Sequence, residues 1–416
     1  MKTDVANPIQ RFVFLLPVVL VVSLVAGAGC GPSGGDLLLH VAAAEGRVDE
    51  LGSLVVHNGA NVNAKNKRGQ TPMFIAARNG HVEVMAWLKK RGADVNARDN
   101  GSQTPMFGAA EFGHIAAMAW LKEQGAEVGA RSKGGQTPMH WAATRGQLGA
   151  MKWLKDHGAE VSPEDNGWSP MIWAAMDGQV EAMKWLHEQG VELPDVGMLS
   201  STLARAAARG DIAGMAWLRQ RGAEFNYEMM IEREQSVPIL SKIPLINRLF
   251  VNRGMVRDSV PAMAAAARYG QVEAMKWLKE QGAEVNYTPS GYFNDTPLIL
   301  AATGGHVEAV MWLIQQIADV NDKAYGDFLP MFMMASFGLV EPMALLKERG
   351  ADVNGTNDLG MTPMFWAAGN GQIEAMAWLK AQGADVNAKT HRGETPLSWT
   401  NNKDAKAWLL ANGATK

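Results

Sequence analysis

The most constraining feature of this sequence is a motif that recurs with a fixed period. The stretch from Gly69 to Ala97 reads GQTPMFIAARNGHVEVMAWLKKRGADVNA. Its opening threonine-proline pair begins at Thr71 and returns at Thr104 and Thr137, each time 33 residues further on. A repeat of that length indicates an array of stacked supersecondary units, in which each unit contacts only its neighbours.

Each motif predicts two short helices separated by a tight turn. Thr71 predicts a helix start because its hydroxyl can accept hydrogen bonds from exposed backbone amides, and Pro72 suits the first helical turn. Gly80 ends this first helix, since glycine readily adopts the left-handed conformation found at helix ends. Apolar residues at helical spacing then predict a second helix that ends at Gly92. The GADVNA segment that follows reads as an extended finger loop.

One such unit cannot bury its own apolar face, so neighbouring units must stack to form a continuous core. The motif resembles the ankyrin repeat family, whose T-P-L-H-x-A-A helix is matched at TPMHWAA (137–143), TPLILAA (296–302) and TPMFWAA (362–368). The resemblance implies an all-α ankyrin-repeat solenoid of about eleven helix-turn-helix units with finger loops. It also implies that the protein binds other proteins.

The landmarks divide the chain into five regions. We predict a signal peptide over residues 1–29, a lipidated tether over 30–35, repeats one to six over 36–227, an insert loop over 228–259, and repeats seven to eleven with a C-terminal cap over 260–416. Repeats five and six drift from the pattern: Ser169 replaces the threonine, and Ser201-Thr202 replaces the threonine-proline pair.

The N-terminal segment predicts export from the cell. Lys2 and Arg11 flank an apolar run that is short for a membrane span and contains Pro17, whereas a basic start and a short apolar core are typical of signal peptides. Cys30, the only cysteine, follows Ala-Gly and resembles the lipobox of bacterial lipoproteins, in which this cysteine is lipidated. Gly27 stands where that family usually has a leucine-like residue. An uncleaved anchor and a cleaved chain with a free thiol are the alternatives.

The insert loop interrupts the repeats and carries a second resemblance. Residues 237–250 read VPILSKIPLINRLF, which resembles a signature of bacterial secretins with Ser241 and Asn247 in place of glycines. One interpretation is a loop whose apolar residues cover the solenoid, because insertions in repeat arrays map to loops on one face. The other is a segment that docks against a secretin or another envelope protein by strand addition.

Charge and motifs argue against nucleic-acid binding and against catalysis. A formal net charge of -3 gives no basic footprint for nucleic acid. The nine histidines form no H-E-x-x-H or other ligand spacing, and the sequence contains neither a phosphate loop nor a nucleophile elbow. We therefore expect a protein that is not an enzyme and that has no cofactor, no metal site and no nucleic-acid partner.

Tryptophans recur at one place in the second helix, in an M-x-W-L context. A row of aromatic rings could stack sugars or bases, but the spacing follows the core period, which favours an apolar stripe that packs on the next repeat. The residues at this place are Trp87, Trp120, Trp153, Trp185, Trp217, Trp277, Trp312 and Trp378.

In ankyrin-like proteins, partner specificity resides in the finger tips and in the two residues that follow the Ala-Ala pair. Arginine and aromatic side chains are the usual anchors of interfaces, although any one of them could be ordinary surface. The predicted partner-binding residues are Arg78, Phe112, Arg145, Asp177, Arg209, Tyr269 and Phe337.

We thus expect a monomeric, non-catalytic protein-protein interaction scaffold that binds an unidentified protein partner on its concave repeat surface. Lipidation of Cys30 would anchor it to a membrane of the bacterial cell envelope, facing the periplasm or the cell surface. The alternative is an accessory subunit or inhibitor of an envelope enzyme or secretion machine.

Overall fold

The computed structural model describes residues 34–164, 168–225, 261–285, 296–316, 320 and 329–415. The predicted signal peptide, Cys30 and the insert loop lie outside these residues. The described residues form 22 helices, and within that part of the chain no helix is both long and apolar enough to cross a bilayer. The predicted all-α fold of repeated helix-turn-helix units is confirmed.

The chain divides into two compact units, Met1–Leu193 and Pro194–Lys416. The described part of the first unit contains repeats one to five, with one pair of helices in each. Its helices are α1 (Gly34–Glu45), α2 (Val48–Val56), α3 (Pro72–Arg78), α4 (Val82–Lys90), α5 (Pro105–Glu111), α6 (Ile115–Glu123), α7 (Pro138–Thr144), α8 (Leu148–Asp156), α9 (Pro170–Met176) and α10 (Val180–Glu188).

The described part of the second unit contains repeats six to eleven in the same pairwise order. Its helices are α11 (Val196–Ala208), α12 (Ile212–Arg219), α13 (Ala262–Arg268), α14 (Val272–Glu280), α15 (Pro297–Thr303), α16 (Val307–Gln316), α17 (Pro330–Phe337), α18 (Val340–Glu348), α19 (Pro363–Gly369), α20 (Ile373–Ala381), α21 (Pro396–Trp399) and α22 (Lys403–Ala411).

The threonine-proline pair sets the start of the first helices. The Thr71 hydroxyl accepts a hydrogen bond from the Phe74 amide at 3.3 Å, and Pro72 is the first helical residue. Thr296 caps α15 in the same way through the Ile299 amide at 3.2 Å. These helices are each 7 residues long. The predicted start signal therefore acts as expected in both units.

Repeat six departs from this pattern. Helix α11 is 13 residues long and begins at Val196, where the Asp195 carboxylate accepts from the Met198 amide at 2.8 Å. Because this repeat lacks the proline, every backbone amide can join the helix. The helix therefore extends upstream until an aspartate caps it.

Small and flexible apolar side chains form the core between neighbouring helices. In repeat two, Ala76 and Ala77 of the first helix and Met85 and Leu88 of the second are 0% exposed. The alanines let the helices approach closely, while the methionines fill irregular gaps. The same four positions are buried in repeat ten, at Ala367, Ala368, Met376 and Leu379.

The tryptophans of the second helices lie beside this core. Of the eight expected in the apolar stripe, all of which lie in the described residues, only Trp185 is buried. The others are half-buried, and polar groups cover several of their rings: the Arg91 guanidinium lies 3.6 Å from the Trp87 centroid, and His157 stacks on Trp153 at 3.9 Å. Methionine and leucine form the buried stripe, and the tryptophans border it.

Candidate protein-binding surface

Each first helix ends in two residues that change from repeat to repeat. Arg78 and Asn79 occupy these positions in repeat two, directly after the buried pair Ala76-Ala77. Because α3 has 7 residues, about 10 Å separates this pair from the finger that precedes the helix. We call these pairs, together with the finger tips, the variable edge of each unit.

The next repeat holds each helix end in place. The His81 Nε2 atom lies 3.0 Å from the Ala44 carbonyl oxygen of repeat one, and His306 Nε2 lies 3.1 Å from the Arg268 carbonyl oxygen. The close approach requires glycine at the turn: Gly80 has φ +77°, and a Cβ there would lie 2.7 Å from the His114 ring. Histidines of the Gly-His turns are thus braces between repeats.

The finger motif is held by asparagine side chains that bridge to the following repeat. Asn63 donates to the Gly92 carbonyl at 3.1 Å and accepts from the Asp94 amide at 3.1 Å. Asn354 of the second unit makes the equivalent bonds to Gly383 at 3.0 Å and Asp385 at 2.9 Å. One amide side chain therefore fixes the spacing of two fingers.

Several cations near the fingers are used in the same way. Lys65 donates to the Arg98 carbonyl at 3.0 Å, Arg98 to the Arg131 carbonyl at 2.9 Å, and Arg131 to the Glu164 carbonyl at 3.1 Å. Each bond joins one repeat to the next. Because these side chains donate to backbone oxygens of the next repeat, they stabilise the stack.

Three of the predicted binding residues meet in the first unit. The guanidinium of Arg78 lies 4.9 Å from the centre of the Phe112 ring, and that of Arg145 lies 5.9 Å from it. Arg145 also forms an ion pair with Glu111 at 2.9 Å, and the Glu111 side chain is 13% exposed. Phe112 itself is 38% exposed. The result is one accessible ring with two guanidinium groups against it.

Asp177 lies one repeat beyond Arg145. It follows α9 at the variable position of repeat five and is half-buried.

On the preceding turn, Trp173 lies 6.3 Å from Trp141 of repeat four, measured between ring centres. Within the described residues, the buried indole N–H groups of both tryptophans lack a hydrogen-bond partner. Their shared position before the Ala-Ala pair was the sequence signal for this contact.

A buried histidine supports the first unit. His140 is 1% exposed. Its Nδ1 accepts from the Thr137 amide at 3.1 Å, which leaves Nε2 to donate to the Trp168 carbonyl at 3.1 Å. The pKa of His140 is lowered from 6.5 to about 4, chiefly by burial; the bond to the Trp168 carbonyl opposes this shift, and nearby Arg131 contributes to it. The imidazole is therefore neutral at physiological pH.

The variable edge of the second unit presents separate aromatic side chains. Tyr269 is 57% exposed and Phe337 38% exposed, and Thr303-Gly304 occupies the variable position of the repeat between them. Arg209 is exposed at the end of α11. Two further apolar side chains were missed: Leu359 on a finger, 56% exposed, and Trp399, 45% exposed. Leu359 could have been found, since Arg68 and Arg392 hold the equivalent finger position elsewhere.

Other kinds of site are not evident in the described part of the chain. No group of three His, Cys, Asp or Glu side chains there could hold a metal ion. A shallow groove of about 350 Å³ lies between second helices, lined by Ala344, Lys347, Glu348, Trp378 and Gln382. This groove lies on α18 and α20 and not at the first-helix ends, so it is separate from the variable edge.

The paired helices, finger loops and changing edge residues define a repeat protein of the helical solenoid class. The family model described as ankyrin repeats (3 copies) matches residues 39–132, 108–197, 241–324, 262–357 and 331–416. The chain therefore belongs to the ankyrin-repeat family, whose members generally mediate protein-protein interaction and are typically non-catalytic scaffolds. No curated protein shows significant similarity to the chain.

Proposed function

We propose that this protein is a non-catalytic scaffold that binds a partner protein along its variable edge. The observation that carries the proposal is the contrast between framework and edge. The framework residues contact neighbouring repeats: core side chains are buried, and turn histidines and finger asparagines form hydrogen bonds between repeats. At the positions that vary, Phe112, Tyr269 and Phe337 are exposed. Exposed aromatic residues on a rigid support are the usual anchors of a protein interface.

The test replaces edge residues without touching the framework. A quintuple variant, Arg78→Ala, Phe112→Ala, Arg145→Ala, Tyr269→Ala and Phe337→Ala, should lose capture of its partner while its melting temperature changes by only a few degrees. The immobilised full chain is incubated separately with envelope and cytosolic extracts of the source cell. Captured proteins are identified by mass spectrometry.

A matched control places the same number of changes on the second helices. Its exposed positions are Arg91, Lys152, Glu188, Glu280 and Glu374. This control should capture the partner as the unmodified chain does. If the edge variant retains capture, or if the control loses it to the same extent, the variable edge is not the binding surface.

The cellular setting is part of the proposal. The basic start, the short apolar run and Cys30 support an exported protein that is anchored by lipid in a bacterial cell envelope. Intact-mass measurement should find an N-terminus that begins at a diacylated Cys30, and Cys30→Ser should move the protein from the membrane fraction to the soluble fraction. An unmodified N-terminus at Met1 would contradict cleavage and lipid anchoring.

A further inference from the structure

The edge of the first unit carries more specific chemistry than a general protein-binding surface requires. Phe112 is bordered by two guanidinium groups, and their charges are balanced to different extents. The charge of Arg145 is balanced by Glu111 at 2.9 Å. Among the described residues, the Arg78 guanidinium has only the Phe112 ring as a partner, at 4.9 Å. Its planar set of N–H donors can therefore bind a hydrogen-bond acceptor of a ligand.

The position of Arg78 is fixed by its neighbour in the next repeat. Gly108 is buried, and a Cβ there would lie 3.0 Å from the Arg78 Cβ. The missing side chain lets the stem of Arg78 lie directly against α5. The arginine is thus directed along the edge towards Phe112, which reduces the entropy that it loses on binding.

The fingers of the first unit carry exposed cations. Lys67 and Arg68 lie exposed on the finger of repeat two, and Lys133 lies exposed on the finger of repeat four. Several carboxylates of this unit are engaged within it: exposed Glu45, at the first-helix end of repeat one, pairs with Arg47 at 2.6 Å. Glu111 is paired with Arg145, and the Asp99 carboxylate accepts from the Gly101 and Gln103 amides of its own turn at 2.9 and 2.8 Å. Exposed cations beside carboxylates that are already paired favour a negatively charged ligand at this edge.

We propose that the variable edge of the first unit binds an acidic segment of the partner protein, with a carboxylate on the Arg78 guanidinium and an adjacent apolar side chain against Phe112. A carboxylate matches the fork of donors of an arginine, and the exposed Phe112 ring beside the guanidinium offers an apolar surface to a neighbouring side chain. This inference rests on the proposed function and adds the chemistry of the partner.

A nucleic acid is the competing polyanion, and the structure favours it less. The chain carries a formal net charge of -3. Lys65, Arg98 and Arg131 would extend the basic strip along the fingers, but their side chains are bound to backbone carbonyls. The guanidinium groups at the Phe112 ring are therefore two, Arg78 and Arg145, which suits a short peptide better than a phosphate backbone.

The test measures binding of a fluorescein-labelled dodecapeptide to the full chain by anisotropy. In this peptide, aspartate and glutamate alternate with phenylalanine and glycine. A second peptide replaces each acid with its amide. The acidic peptide should bind at least about tenfold more tightly than the amide peptide, because bonds to a charged group are the stronger ones. Equal affinity for the two peptides would overturn the inference.

Variants at Arg78 locate the site. Arg78→Gln should weaken binding of the acidic peptide by roughly tenfold or more, and Arg78→Lys should weaken it less, because charge is kept while the fork is lost. The matched control is Arg91→Gln. Arg91 lies in the same repeat and also covers an aromatic ring, Trp87, but at the end of a second helix. Its change should alter affinity by less than about twofold.

Three further outcomes separate the possibilities. If a single-stranded oligonucleotide binds more tightly than the acidic peptide and loses affinity in Arg78→Gln, the ligand class is wrong. If Arg78→Gln binds the acidic peptide normally while the quintuple edge variant still loses partner capture, this inference fails and the proposed function stands. Loss of acidic-peptide binding only in the Arg78 variants supports the inference.

Discussion

The variable edges of the two units share one framework and display different side chains. In the first unit, Phe112 lies against Arg78 and Arg145, and the fingers of that unit carry exposed cations. In the second, Tyr269 and Phe337 stand on alternate repeats with Gly304 in the repeat between them. The difference shows that the surroundings of a phenylalanine at the same repeat position depend on the side chains of the adjacent repeats.

The largest effect should come from the framework, and it should be the same in both units. Phe107 and Phe365 occupy equivalent core positions and are 2% and 0% exposed. Replacing either with alanine should cost about 3–5 kcal/mol of local stability through lost burial and a residual cavity. Hydrogen exchange of the flanking helices measures this cost. Clearly unequal losses would show that the units do not share a common framework.

The second effect should distinguish the units by pH. Burial holds the pKa of His140 at about 4, below its ordinary 6.5. The unfolded chain therefore binds a proton that the folded chain does not, so stability is full above pH 6.5 and is lost as the pH falls towards 4. The loss amounts to about 3 kcal/mol. The equivalent positions of the second unit, Ala204, Ala264, Ile299, Phe332, Phe365 and Ser398, carry no histidine.

His140→Phe tests this pH dependence, because phenylalanine is the natural residue at the position in repeats two and three. The variant should lose about 1 kcal/mol at neutral pH for its two missing hydrogen bonds. Below pH 6.5, its free energy of unfolding, measured with urea, should fall less steeply with decreasing pH than that of the unmodified chain. Parallel declines would assign the acid sensitivity to other groups.

A third, smaller effect concerns binding. The double change Tyr269→Ser with Phe337→Ser removes two exposed aromatic side chains from the second unit only. Affinity for the captured partner should fall by about tenfold, since aromatic anchors contribute strongly to interfaces. Binding of the acidic dodecapeptide by the first unit should change by less than about twofold. A similar fall for both ligands would mean that the two edges do not act separately.

The smallest effect concerns a finger of the first unit. Ser102 has φ +61°, while glycine holds the equivalent position at Gly69, Gly135, Gly360 and Gly393 with φ between +77° and +91°. Ser102→Gly should stabilise the protein by roughly 0.5–1 kcal/mol, because serine is strained in this conformation. Gly135→Ser should destabilise it by a similar amount. Thermal unfolding of the pair measures both, and a destabilised Ser102→Gly would contradict the assignment of strain.

Much of the fold could be predicted from residue pattern. Thr71, Pro72 and Gly80 mark a helix start, first turn and helix end, and the structure places those features at these residues. Such signals act within a few residues of their own position. The pattern does not locate the start of α11, because Ser201-Thr202 lacks the proline and the helix begins at Val196. A helix without that start signal begins where packing and an upstream cap allow.

The candidate surface was less accessible to sequence reasoning. The period identified Arg78, Phe112 and Arg145 as edge positions, and their role in binding stays a prediction. Their contact depends on side-chain direction and on Gly108, which lets Arg78 lie against the next helix. The half-buried tryptophans show the same limit: Trp87 has core spacing, but helical periodicity does not reveal that Arg91 covers its outer face.

The finger asparagines bear on how such a chain can change over evolutionary time. The Asn63 bridge and its counterpart at Asn354 each reach only the adjacent motif. Duplicating or deleting one whole motif by recombination would therefore leave every surviving bridge with a suitable neighbour. The array could lengthen or shorten without a newly evolved hydrophobic core. Each added copy would bring additional variable residues on which selection can act.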